Sequence, residues 1–179
     1  MGTLDGQILL WIQDNLRNDF LTPIFRFITY LGDVGAIWIV ATIALLFFAK
    51  YRKVGLLSAL ALIDSLLINN LLLKNLVARM RPYEAIEGLN RLIEAQSDYS
   101  FPSGHAAASF AAGAIFFIYL PKKFGVPALI LAFLISFSRL YVGVHYVTDV
   151  LAGALISTVI AICIYKVDGY IQKREQFRK

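Results

Sequence analysis

Apolar residues fall along this chain in long unbroken runs, not in the alternation of half-buried strands or the one-sided stripe of soluble helices. Five runs, roughly 35–49, 54–73, 103–120, 125–142 and 147–165, come close to or reach the about 17–20 apolar residues that carry a helix across a bilayer core. The first is short and borrows a turn at either end. Three connections are brief, at Lys50–Lys53, Pro121–Phe124 and Gly143–Tyr146, and one is long, Lys74–Pro102.

The segment before residue 34 reads differently. Leu4, Ile8, Trp11, Ile12 and Leu16 recur at helical spacing, with Asp5, Gln13 and Asp14 elsewhere around the helix; that pattern predicts an amphipathic helix lying in the membrane interface. Phe20–Leu31 is apolar but short and contains Pro23 and Arg26, which leaves two readings open: a short sixth span, or a re-entrant element packed on protein. The expected architecture is therefore all-α. It is a polytopic transmembrane helical bundle of five to six membrane segments plus an N-terminal interfacial amphipathic helix, in a single integral-membrane domain over residues 1–179.

Composition sharpens this picture. The hydrophobic fraction of 59% exceeds the roughly 45–50% of soluble domains, and the mean hydropathy is +0.68. Net charge is +5, yet the basic residues form no stripe on a polar domain, so nucleic acid is not the implied partner. They sit between apolar runs, where positive charge sets orientation. Lys50, Arg52 and Lys53 share one short loop, Lys122 and Lys123 another, and Lys166, Lys173, Arg174, Arg178 and Lys179 the tail. Five spans put these three segments on one face, which the positive-inside rule makes cytoplasmic. The 74–102 loop, with Glu84, Glu87, Glu94 and Asp98, faces the other side. The N-terminus lacks the basic region of a signal peptide. The single cysteine, Cys163, excludes an intrachain disulfide and a multi-cysteine metal site, and reads as a small core hydrophobe. Small residues recur every four positions at Gly104, Ala108 and Ala112 and at Gly153, Ser157 and Ala161, faces that let helices approach closely in lipid.

With the apolar runs set aside, the remaining polar residues cluster. Lys74, Arg79 and Arg81, then Pro82, follow the second run. Pro102-Ser103-Gly104-His105 opens the third. Ser138 and Arg139 end the fourth, and His145 and Asp149 lie across the short turn. Alternating span directions bring all four groups to one membrane face. Lys74, Arg81 and Arg139 repel one another unless an anion joins them, and phosphate suits arginine's paired donors. Ser103, Gly104 and His105 begin a helix, where free N–H groups and the helix dipole favour an anion. His145 and Asp149, four apart, share a helix face; a carboxylate on one ring nitrogen leaves the other as a nucleophile. His105 is then free to act as an acid toward a leaving oxygen.

Each piece has a plainer reading alone: an interface anchor, a helix cap, a structural His–Asp pair. A static anion or lipid-headgroup site is the plainer reading of the whole. It leaves unexplained why both histidines of the chain join the set, one of them paired with an aspartate. Asp64, in mid-span, reads as a buried structural hydrogen bond, Arg79 as a contact to substrate or to a lipid phosphate, and Tyr83, Tyr99 and Phe101 as residues at the pocket border or the interface.

Lys74-x6-Arg81-Pro82, then Pro102-Ser103-Gly104-His105, then Ser138-Arg139-x5-His145-x3-Asp149 resembles the three signature motifs of the type-2 phosphatidic acid phosphatase superfamily, which also includes the vanadium haloperoxidases. The flanking membrane pattern is similar to that of small bacterial members. The resemblance implies that His145 attacks phosphorus and becomes a phosphohistidine, that Asp149 orients it, and that His105 protonates the leaving group. It implies that Lys74, Arg81, Ser103, Gly104 and Arg139 bind the phosphate, and that no metal or other cofactor takes part. The expected activity is hydrolysis of a membrane lipid phosphate or pyrophosphate, foremost undecaprenyl pyrophosphate, with phosphatidylglycerol phosphate, phosphatidic acid and lipid A phosphate as alternatives. The expected location is a bacterial inner membrane, with the site facing the extracytoplasmic side and the C-terminus cytoplasmic. A vanadate-holding peroxidase fits poorly because those relatives are larger and soluble. A non-catalytic anion or headgroup transporter fits poorly because it needs a polar path through the spans, whereas the charge here gathers at one face.

Overall fold

The computed structural model describes residues 4–176; Arg178 and Lys179 of the basic tail lie outside them. Helix is the only regular structure among the described residues. The order is α1 (Leu4–Leu16), α2 (Leu21–Leu31), α3 (Ala36–Phe47), α4 (Arg52–Ser65), a π-helical segment (Leu66–Leu73), α5 (Lys74–Val77), α6 (Pro82–Ala85), α7 (Gly104–Tyr119), α8 (Lys122–Tyr141) and α9 (Val147–Gln176).

Three helical stretches are long and apolar enough to cross a membrane: Arg52–Ala85, Lys122–Tyr141 and Val147–Gln176. Helix α2 and Asp33–Phe47 pass the same test only when taken together, as a pair bent by 47°. Together they make the chain a multi-pass membrane protein. Helix α7 has only 16 residues, and its position explains why this suffices. It packs on α4, α8 and α9, and Ala106, Ala107, Ala111, Ala112 and Ile115 are buried. An alanine-rich axis surrounded by protein packs closely without an apolar girdle of its own. Leu56, Leu60 and Ile63 of α4, Leu67 of the π-helical segment, and Leu151, Leu155 and Val159 of α9 face outward, as lipid-facing side chains do.

Two local departures shape the functional end. Between α2 and α3, Val34 (φ 53°) and Gly35 (φ 70°) adopt left-handed backbone within a 3-10 turn, Asp33–Gly35. A β-branched residue there is a steric outlier. In the π segment the turn is widened to i→i+5, so Asn69 and Lys74, five apart, are both buried where a regular α-helix would splay them.

The small stripe of α9 meets the start of α7. A Cβ on Gly153 would lie 2.6 Å from the Ser103 carbonyl oxygen. Ser157 Oγ is 2.8 Å from Ser65 Oγ and accepts from Asn69 Nδ2 at 3.2 Å. The ends of the bundle differ in character. Lys53 pairs with Asp168 at 2.7 Å and Tyr119 donates to the same carboxylate at 2.9 Å, which gathers the α4 start, the α7 end and the tail helix. The Lys74, Ser103, Arg139 and His145 groups gather at the opposite end.

Some expectations are revised. Helix α1 forms, but Leu9 and Ile12 are its buried residues while Leu4 and Trp11 are exposed; that face packs beside Leu89, Tyr141 and Val142. Asp64 is half-exposed and has no hydrogen bond or ion pair among the described residues, so the buried hydrogen bond expected of it is not formed. Cys163 is exposed on α9 and not a core residue. The run expected to end near 165 continues to Gln176.

Candidate active site

Lys74, Arg81, Arg139, Gly104, His105 and His145 line one cavity of about 770 Å³. Four elements deliver them: the end of the π-widened helix at Lys74, the 78–81 linker, the first turn of α7, and the α8–α9 junction. Lys74, Arg81, Ser103, Arg139, His145 and Asp149 are all buried. Ser103 N donates to the Asp149 carbonyl at 3.0 Å, which ties the start of α7 to the start of α9. Gly104 is held against Asn70; a Cβ there would lie 3.1 Å from Asn70 Oδ1.

The geometry decides the tautomer of His145. Its Nε2 lies 3.0 Å from Arg81 Nη1. A guanidinium only donates, so Nε2 carries the lone pair and Nδ1 the proton. Nδ1 faces Asp149 Oδ2 at 3.5 Å, beyond hydrogen-bond length, and is a buried atom without a partner. Burial first, then the charges of Arg81, Arg139 and Lys74, hold the His145 imidazole well below the ordinary histidine range. It is neutral, with its free nitrogen turned to the cations.

Asp149 is itself fixed by three donors. Ser100 Oγ at 2.5 Å and the Tyr146 amide at 2.9 Å reach Oδ2, and Arg79 Nη1 reaches Oδ1 at 2.6 Å. Arg79, which read as a contact to substrate or to a lipid phosphate, is engaged here by protein carboxylates. It bridges Asp149 to Asp5 of α1 at 3.0 Å and lies 3.6 Å over the Tyr146 ring.

Each of the three cations has a partner in the 95–98 segment of the long loop. Asp98 bonds Lys74 Nζ at 2.5 Å, Arg81 Nη2 also bonds its carboxylate, and Arg81 Nε donates to its carbonyl at 3.0 Å. Gln96 Oε1 accepts from Arg139 Nη2 at 3.0 Å. Partial burial pulls the Asp98 carboxyl upward, but its bonds to Lys74 and Arg81 and their charges outweigh this and leave it below the ordinary value. Arg139 also donates to Thr29 of α2 at 2.6 Å, while Arg139 Nε and Ser103 Oγ are buried without partners. Orphaned donors beside cations suit an oxygen-rich anion.

The sequence reading missed Asp33, Gln96, Asp98, Ser100 and Asp5 as parts of this region. Asp98 had a signal, an acid in a loop beside the cation motif, but it entered only as loop charge. Tyr99 lines the outer mouth, where Asp98 and Lys74 also lie. Tyr83 accepts from the Gln96 amide at 3.2 Å, and Phe101 lines neither opening. Away from the charges, the cavity continues along Ile39, Ile43 and Leu46 of α3 and Leu62, Ile63 and Leu66 of the facing helix.

Fold and site together define a helical membrane protein with a cation-lined, histidine-bearing site at the head of an apolar groove. Residues 52–173 match the PAP2 superfamily model, and the chain belongs to that superfamily. It is 32% identical over 145 residues to an undecaprenyl-diphosphatase of Sulfolobus acidocaldarius, covering 80% of this chain and 70% of that one. It is 34% identical over 176 residues to phosphatidylglycerophosphatase B of Bacillus subtilis, covering 92% and 82%. The crystal structure of Aquifex aeolicus LpxE superposes with a TM-score of 0.82 at 27% identity, covering 92% of this chain and 96% of that one.

Proposed function

We propose that this protein hydrolyses a membrane lipid phosphate or pyrophosphate through a phosphohistidine, with undecaprenyl pyrophosphate as the foremost substrate. The observation that carries the reading is the free Nε2 of His145 against Arg81, inside a ring of three buried cations. Two relatives bear on the lipid. The undecaprenyl-diphosphatase supports a polyprenyl pyrophosphate, and phosphatidylglycerophosphatase B keeps phosphatidylglycerol phosphate as the second candidate. The apolar groove between α3 and α4 suits the lipid chain, since both its walls are aliphatic.

The steps follow from the donors and acceptors. The phosphoryl oxygens take the places of Asp98 and Gln96 among Lys74, Arg81 and Arg139, with the Ser103 hydroxyl and the first turn of α7 beneath them. His145 Nε2 attacks phosphorus, the bond to the leaving oxygen breaks, and that oxygen takes a proton from His105. Asp149 balances the positive charge that grows on the His145 ring. Water then attacks the phosphohistidine, giving its proton back to His105; the P–N bond breaks and phosphate leaves. With the basic loops cytoplasmic, the site opens on the extracytoplasmic side of the membrane and the C-terminus is cytoplasmic. Five spans give this arrangement, α7 being the one enclosed by the others.

The test is inorganic phosphate release by the detergent-purified protein from undecaprenyl pyrophosphate, phosphatidylglycerol phosphate and phosphatidic acid, with EDTA present. EDTA-resistant release that His145→Ala abolishes is the expected result. Release that survives His145→Ala refutes the nucleophile, and no release from any lipid by folded wild type turns the reading toward headgroup binding.

A further inference from the structure

The site contains a second His–Asp pair, made by an element that none of the signature motifs includes. His105 Nε2 lies 3.0 Å from Asp33 Oδ1. Asp33 sits in the break between α2 and α3, upstream of the matched residues 52–173, and both residues line the cavity that holds the cations. The break is shaped around the His105 ring. A Cβ on Gly32 would lie 2.7 Å from His105 Cδ2 and 2.6 Å from Ile135 Cγ2, so a residue with a side chain would displace the ring. Val34 and Gly35 then take left-handed backbone, a conformation that is strained at a non-glycine residue and tends to persist at functional sites. A simple helix bend needs no carboxylate; this one places an acceptor on the pocket-facing nitrogen of a partly buried imidazole.

We propose that Asp33 is the positioning residue of the acid. It holds a proton on His105 Nε2 and keeps that ring edge turned into the cavity. This rests on the phosphatase reading above, in which His105 serves the leaving group. An ionised carboxylate only accepts, so the 3.0 Å contact means that Nε2 bears the proton. During turnover the bond to Asp33 is exchanged for one to the leaving oxygen. With His105 as the imidazolium, that oxygen takes the Nε2 proton as its bond to phosphorus breaks, and the ring is left neutral. The attacking water of the second step restores it to Nε2, and the bond to Asp33 re-forms. Asp33 itself is neither consumed nor bonded to phosphorus.

The role predicts a dependence on leaving group that a packing role would not produce. An alkoxide needs a proton to depart; p-nitrophenolate does not. In full-length protein in detergent, Asp33→Asn should lower kcat/KM, which reports the first step alone, at least tenfold for phosphatidylglycerol phosphate, about the lower range of acid–base contributions. It should change kcat/KM for p-nitrophenyl phosphate less than about threefold by the same argument. His105→Gln should show the same selectivity, and Asp33→Glu should recover part of the lipid activity. Equal losses of kcat/KM on the two substrates, or none on either, overturn the role of Asp33. If Asp33→Asn cannot be purified folded, the Asp33→Glu ratio of the two activities decides on the same criterion. His145→Ala separates this from the parent reading. Retained turnover of both substrates there refutes the phosphohistidine, while a selective Asp33 effect with an inactive His145→Ala supports both.

Discussion

At the scale of single residues, three cations and two histidines are made compatible by acceptors from elsewhere in the chain. His145 accepts from Arg81 at 3.0 Å and is buried among positive charges, so the neutral ring is the stable one. A histidine ordinarily titrates near about 6.5; this one is held well below that. The sign is clear: as pH falls through the ordinary range, His145 keeps its lone pair. Histidine NMR on His105→Gln, where His145 is the remaining imidazole, should show no protonation until well below that range. A titration at the ordinary value would mean that the ring is solvated and not enclosed by the cations. Asp149→Asn follows from the same contacts. It leaves Nδ1 facing an amide and weakens the bonds from Arg79, Ser100 and the Tyr146 amide. A loss of about a hundredfold or more in kcat is expected, by analogy with the aspartate of a catalytic triad. The signature positions were legible here because each carries a charge or a ring nitrogen that an apolar chain seldom places at a span end. Asp33, Gln96 and Ser100 were not, since a polar residue in a polar segment is unmarked until the fold shows its partner.

At the scale of elements, the long apolar runs were readable because lipid imposes a length on any helix that crosses it. All five correspond to helices, including the short α7. What the runs could not show is where helices change pitch or break. The π turn over Leu66–Leu73 is as apolar as the helix before it, yet it sets Asn69 and Lys74 on one face. Gly32 and Gly35 mark a break, but the left-handed Val34 and the placement of Asp33 come only from packing. The segment that read as either a sixth span or a re-entrant element forms a pair with Asp33–Phe47, bent by 47°. The small residues of α9 are explained more sharply by the structure than by general packing. The Cβ of Gly153→Ala would lie 2.6 Å from the Ser103 carbonyl and 3.3 Å from the Ala107 amide nitrogen, both backbone. Overpacking of this kind costs about 1–3 kcal/mol, and here it pushes the first turn of α7 off the phosphate position. Gly153→Ala should therefore unfold at lower temperature in detergent and show a raised KM. Gly169→Ala, with nothing within 4 Å, is the control and should do neither.

At the scale of the whole molecule, the bundle is closed at its functional end by the long loop, and several separate elements hold that loop down. Gln13 of α1 bonds the Gly88 carbonyl and the Asn90 amide, Arg17 bonds the Asn90 carbonyl, and Arg26 of α2 bonds the Leu92 carbonyl. The loop's far side then inserts Gln96 and Asp98 among the three cations. The carboxylate of Asp98 neutralises charge that would otherwise repel, and it occupies donors that the phosphate needs. Binding is thus an exchange of one anion for another, and its strength is a difference: phosphate against three cations, less Asp98 against two of them. Asp98→Asn removes the competing charge while keeping the shape of the side chain. It should lower KM for lipid phosphate and tighten inhibition by orthovanadate severalfold, because losing one charge-assisted bond of about 1.5–3 kcal/mol weakens the free state more than the bound one. Hydrogen exchange gives an independent view of the same event. The amides of 95–98 should lose protection when orthovanadate binds wild type, while those of 88–92, anchored by α1 and α2, should keep theirs. An Asp98→Asn enzyme with a raised KM, or a 95–98 segment equally protected with and without orthovanadate, would show instead that Asp98 stays in place and helps to hold the cations for the substrate.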